Sequence, residues 1–169
     1  MPKVIINDSK GLVQESGSGV EISSSISVSS SLSLGGTAEL SGHKRNVSTL
    51  ATGTTLTAAD SGKVFLLVQT GANRTATLPA VASGLTFKFI VKTASTNKWE
   101  IVQAAGTEDF VGSVVAADGD AGDSATGTDT LVRFVGNTAA AGDQIELECD
   151  GTVWYIRGSC AVTGGIVFA

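Results

Sequence analysis

The chain has little of what an enzyme or a membrane protein usually carries. Its 169 residues include one His, one Met, two Cys and two Pro, and only 5% are aromatic. Two cysteines, Cys149 and Cys160, are too few for a disulfide scaffold and have no metal-ligand spacing. Each is expected to be a small buried hydrophobe. No apolar run approaches the roughly 18 residues a membrane span needs. The opening Met1-Pro2-Lys3-Val4-Ile5-Ile6-Asn7-Asp8 has no long apolar core, so a signal peptide is not expected and synthesis in a cytoplasm is. Positive charge is also scarce. With 11 Lys+Arg, a net charge of −5 and Lys44-Arg45 as the one adjacent basic pair, a nucleic-acid footprint is excluded.

Catalytic chemistry finds little to hold. The single His43 sits beside Lys44 and Arg45, and none of the 19 serines lies in a Gly-x-Ser-x-Gly elbow. Glu146 and Glu148 stand two apart, roughly 7 Å along a strand, a spacing that an inverting glycosidase could use. Alternating carboxylates on the outer face of a hairpin are also ordinary solvation, and that is the expectation here. Asp118-Gly119-Asp120-Ala121-Gly122-Asp123 has the composition of a calcium loop without its spacing or its later Glu. Gly35-Gly36 and Gly71-Ala72-Asn73 lack the strand-to-helix context of a phosphate loop. The expectation is no catalytic residue, no cofactor and no metal ligand.

What the chain has is Gly, Ser and Thr, 59 residues in all. Gly and Thr are poor helix formers, and Ser competes for backbone hydrogen bonds. The mix suits short strands and tight turns. A helical bundle or an α/β nucleotide fold is excluded, because no long helical period alternates with strands. With 42% hydrophobic residues, a chain this long can still build a core.

Two regions differ. Residues 1–45 hold no aromatic residue, and all nine aromatics lie between Phe65 and Phe168. Within the first region Ile22, Ile26, Val28, Leu32 and Leu34 all occupy even positions, with Ser at 23, 25, 27, 29, 31 and 33. A Ser-rich linker is one reading. Period-2 alternation on a single parity favours the other, a strand with one apolar and one hydroxyl face. Such a strand cannot bury its face alone. It needs the body, a neighbouring subunit or another protein, so these five residues are the candidate assembly or attachment stripe.

From residue 46 the pattern reads as an antiparallel meander. Strands are expected at 63–69, 74–78, 85–92, 98–103, 111–116, 131–135 and 165–168, with 118–130 an exposed loop. Gln144 to Arg157 reads as a two-residue hairpin turning at Asp150-Gly151. That register sets Cys149 opposite Thr152, Leu147 opposite Trp154 and Ile145 opposite Ile156. Trp99, Leu147, Trp154 and Ile156 are the expected core anchors. The fold expectation is therefore all-β: an antiparallel β-sandwich or jelly-roll-like body over 46–169, preceded by an extended N-terminal β arm over 1–45.

Thr55-Leu56-Thr57-Ala58-Ala59-Asp60-Ser61-Gly62-Lys63-Val64-Phe65, then Thr77-Leu78-Pro79 and Gly84-Leu85-Thr86-Phe87-Lys88-Phe89-Ile90-Val91, resembles β domains of tailed-bacteriophage structural proteins. Gly112-Ser113, Ala141-Gly142-Asp143 and Asp150-Gly151-Thr152-Val153-Trp154-Tyr155 extend the likeness, which covers about residues 50 to 169. The resemblance implies a compact, often trimeric module on capsid decoration (cement) proteins, head fibres or tail fibres. The function it implies is non-enzymatic: a homotrimer on the capsid surface whose partner is the major capsid protein, with no nucleic acid or membrane bound. The alternative is a tail-fibre, spike or adhesin module that binds a host-surface glycan, and a polysaccharide-degrading enzyme comes third.

The hairpin register generates a redox prediction. Position 160 falls opposite Ala141, eight residues before Cys149, and at about 3.4 Å per residue the two sulfurs cannot meet. Alkylation of the unfolded protein without reductant should label both cysteines; an intact 149–160 bridge would refute the pairing.

Overall fold

The computed structural model describes residues 44–104, 109–119 and 122–169. The stripe Ile22, Ile26, Val28, Leu32 and Leu34 lies outside the described residues. The described residues form twelve strands: β1 Val47–Leu50, β2 Thr54–Thr55, β3 Val64–Val68, β4 Arg74–Thr77, β5 Thr86–Thr93, β6 Trp99–Val102, β7 Phe110–Ala116, β8 Asp123–Asp129, β9 Leu131–Phe134, β10 Gln144–Cys149, β11 Trp154–Cys160 and β12 Ile166–Phe168. A 3-10 turn, Ala58–Asp60, lies between β2 and β3. The body is all-β, with two sheets packed face to face around one core.

The expected antiparallel meander is corrected. The larger sheet runs β1-β3-β5-β10-β11-β7-β8 and the smaller β12-β9-β6-β4-β2. The first six strands alternate between sheets, so β1, β3 and β5 lie parallel in one while β2, β4 and β6 lie parallel in the other. Later strands pair antiparallel, apart from the parallel β7–β11 ladder. Both sheets are mixed. The physical reason is that period-2 alternation specifies which face is buried and is silent about which strand lies alongside. From β1 to β6 each short connection carries the chain from one sheet to the other, so consecutive strands bury their faces against opposite sides of the core.

Two further corrections follow. Residues 118–130 are not one loop, because Asp123–Asp129 forms edge strand β8, antiparallel to β7. Its Ser/Thr/Gly composition hides it, since Ala125 is the residue it contributes to the core. Gly122 is there for proximity: a Cβ would stand 1.7 Å from the Val114 carbonyl oxygen. The β10–β11 hairpin also differs, pairing Cys149 with Trp154, Leu147 with Ile156 and Ile145 with Gly158. The loop is therefore four residues, Asp150 to Val153. The Asp150 Oδ1 accepts from the backbone N–H of Thr152 at 2.7 Å and of Val153 at 2.9 Å, which stabilises the wider turn. Moving the pairing by two positions leaves every side chain on its face.

Ser159 pairs with Gln144, so Cys160 follows on opposite position 143, six residues from Cys149. Both cysteines are free and buried.

Trp99, Leu147, Trp154 and Ile156 are all buried in the core. Phe65 stacks on Phe89 with ring centroids 5.4 Å apart, and Phe87 tilts against Trp154 at 5.7 Å. The two tryptophans differ in one respect. Trp99 on β6 donates its indole N–H across the core to the Val68 carbonyl on β3 at 2.9 Å, whereas the Trp154 indole N–H has no partner among the described residues. Both Trp→Phe changes remove similar volume, but Trp99→Phe also removes a hydrogen bond between the sheets. In urea unfolding Trp99→Phe should cost about 1–2 kcal/mol more than Trp154→Phe; equal costs would show that the cross-sheet bond contributes nothing.

Candidate functional site

The outer face of the larger sheet carries the most concentrated chemistry. Lys88 on β5, Glu146 on β10, Arg157 on β11 and Ser113 on β7 are successive ladder partners and share that face. Lys88 Nζ donates to Glu146 Oε1 at 2.9 Å, and Arg157 Nε donates to Glu146 Oε2 at 3.0 Å. Arg157 also reaches Glu148 Oε1 at 3.4 Å. The two carboxylates flagged by spacing are thus joined through one guanidinium. Hydrogen bonds from Lys88 and then Arg157 hold Glu146 below the usual carboxylate range despite partial burial. It stays ionised at neutral pH, so it cannot serve there as a proton donor.

Beside this row lies an open depression of about 230 Å³ lined by Gln144, Glu146, Arg157, Gly158 and Ser159. Tyr155 borders a smaller one of about 110 Å³ with Glu146, Glu148 and Arg157. Tyr155 is 48% exposed and donates its hydroxyl to Asp150 Oδ2 at 3.2 Å. That carboxylate raises the pKa of the phenol.

The outer face of the smaller sheet repeats the device. Lys98 Nζ lies 2.7 Å and Arg133 Nη2 2.8 Å from the same Glu100 Oε1. Burial pushes the Glu100 carboxyl up, but the bonds from Lys98 and Arg133 outweigh it and the net shift is downward.

Other carboxylates are committed to backbone. Asp143, buried, accepts from the N–H of Ala140 at 2.9 Å and of Ala161 at 2.8 Å. Asp118 accepts from Thr163 N–H at 2.6 Å, and Asp123 from Phe168 N–H at 2.8 Å. Asp118 and Asp123 belong to the stretch whose composition suggests calcium, and both already serve as acceptors for protein donors. Among the described residues no three His, Cys, Asp or Glu side chains come together as a metal site. Burial, above all, raises the Cys160 thiol, which leaves it a poor nucleophile. No helix of the described residues is long and apolar enough to cross a membrane.

Sequence reading placed Glu146 and Glu148 on the outer face but missed Lys88 and Arg157 as their partners, along with the aspartate staples. Partners across strands depend on strand order, which no local pattern carries. Asp150-Gly151 was the one local signal for a staple. Compared with known protein families and with curated proteins, the chain matches none.

Asp60 and Asp150 are both held at about 2, Asp60 chiefly by Lys63 and Asp150 chiefly by the backbone N–H groups of Val153 and Thr152. A folded-state value below the unfolded one, about 3.9 for Asp, adds stability that is complete above that pH. The contribution is lost as pH falls from about 4 toward 2. The urea midpoint should therefore drop steeply over that window, and Asp60→Asn should flatten the drop while leaving the direction unchanged. A wild-type midpoint that is constant from pH 5 to pH 2 would contradict the assignment.

Proposed function

We propose that this chain is a non-enzymatic structural protein of a virion, a decoration or cement protein that binds the outer surface of a phage head and stabilises it. One observation carries the reading furthest: the conspicuous carboxylates of the larger sheet are held by cations, Glu146 by Lys88 and Arg157 and Glu148 by Arg157. A face arranged in this way offers a partner surface a row of fixed charges. The resemblance of residues 50 to 169 to phage β modules points the same way. On this reading the protein is made in the host cytoplasm, assembles as a homotrimer and takes the major capsid protein as its partner, without nucleic acid or membrane. Residues 1–45 supply the attachment stripe Ile22, Ile26, Val28, Leu32 and Leu34, which meets the particle or a neighbouring subunit. Burying each of these side chains contributes roughly 1.5–3 kcal/mol.

A second reading has an observation of its own. Exposed Tyr155 stands beside Arg157 and Glu148 at an open depression. An aromatic face next to charged hydrogen-bonding groups is what a glycan-binding fibre or adhesin module presents.

Mass spectrometry of purified virions separates the two. A decoration protein should be present at a copy number comparable to that of the major capsid protein, while a handful of copies per particle would favour the fibre. Absence from the particle would overturn both. Removing residues 1–45 should abolish capture by particles that lack the protein; full occupancy by the truncated chain would move attachment to the body.

A further inference from the structure

Asp150 does more than close the turn between β10 and β11. Its Oδ1 accepts the backbone N–H groups of Thr152 and Val153 and the Thr152 hydroxyl, while its Oδ2 accepts the Tyr155 hydroxyl at 3.2 Å. A carboxylate oxygen held by three donors is a fixed post, and the phenol tethered to the same group is positioned in advance of any contact. Tyr155 alternates with Arg157 and Ser159 along β11, and its ladder partner on β10 is Glu148. All four are exposed among the described residues, the Arg157 side chain by 72% and that of Glu148 by 63%. Depressions of about 110 and 230 Å³ share Glu146 and Arg157 as walls, so they adjoin. From Tyr155 to Ser159 they follow four strand steps, about 14 Å.

Charge selects what this strip can hold. Lys88 donates to Glu146, and Arg157 donates to both Glu146 and Glu148. Three carboxylates, Glu146, Glu148 and Asp150, stand against these two cations, which leaves one negative charge in excess. An anionic ligand would have to displace Glu148 from Arg157 and then lie beside it. Uncharged hydroxyls meet no such obstacle. A carboxylate only accepts and a guanidinium only donates, whereas a hydroxyl does both, so the two side by side serve neighbouring hydroxyls. The Tyr155 ring offers a flat apolar face to the C–H side of a sugar.

We propose that this strip binds an uncharged oligosaccharide, with Tyr155 stacked on one ring and Glu148 and Arg157 hydrogen-bonded to hydroxyls of the same chain. The proposal rests on the glycan-binding reading and adds the class of sugar. It holds at any copy number on a particle.

The full-length protein, labelled with nitrogen-15, should be titrated with maltohexaose, cellohexaose, mannohexaose and dextran, and separately with hyaluronan and polygalacturonate oligomers. At least one uncharged probe should shift the amide signals of Glu148 and of residues 155–159 saturably, and neither acidic probe should. Tyr155→Ala should weaken that binding by about tenfold or more. Tyr155→Phe, which keeps the ring and loses its tether, should weaken it less. Arg157→Ala, on a largely exposed side chain, gives a second route to the loss, and unmoved core amides show that each variant is folded. Acidic oligomers bound at these residues would overturn the sugar class and leave the glycan reading standing. Binding that survives both alanine variants unchanged would overturn the site alone. No shift with any probe overturns the proposal and the glycan reading together.

Discussion

Everything in the body depends on strands too short to stand alone burying one face against the opposite sheet. β2 has two residues, and β1, β4, β6 and β9 have four each. No such strand is stable on its own ladder bonds. Side chains meeting between the sheets supply the missing stabilisation: Phe65, Phe87, Phe89 and Trp154 from the larger sheet, Trp99, Ile101 and Phe134 from the smaller. Hydrogen bonds then lock the sheets' relative position. Trp99 reaches Val68, and the buried Gln69 just beyond β3 donates to the Phe134 carbonyl at 3.3 Å. Within the larger sheet, close backbone approach has its own requirement at Gly112, where φ is +144° and a Cβ would stand 1.8 Å from the Ile156 carbonyl oxygen.

Crossing the core so often leaves many loops, and aspartates hold them. Asp143, Asp118, Asp123 and Asp150 each accept backbone N–H groups that would otherwise be left without partners at turns and strand ends. Four of the 16 acidic residues thereby serve as scaffolding for the backbone. Part of the remainder is neutralised in ladder rows on the two outer faces, at Glu146 and at Glu100.

The sequence was legible where parity alone decided the outcome. Ile145, Leu147, Trp154 and Ile156 were assigned to the core from alternation, and a turn two residues wider than expected left them there, because an even shift preserves faces. Strand order was illegible for the same reason: alternation in β3 or β5 names a buried face, and a parallel neighbour brought round through the other sheet leaves no local trace. β8 was missed because an edge strand needs few apolar residues. The staples were missed because an aspartate in a polar loop is unremarkable until its acceptor geometry is known; Asp118 and Thr163 lie 45 positions apart.

The parallel half of the body is a coil wound through two sheets, in which each turn adds one strand to each sheet, as in a solenoid. A fold with one sealed end and one wound end has a direction of growth. Another turn spliced in before β1 would move the outermost strands about 4.8 Å along the stacking axis. It would leave the aspartate-tied end, the tryptophans and the ion-paired rows where they are. Reach is therefore adjustable in steps of one strand spacing, independently of the ion-paired outer faces.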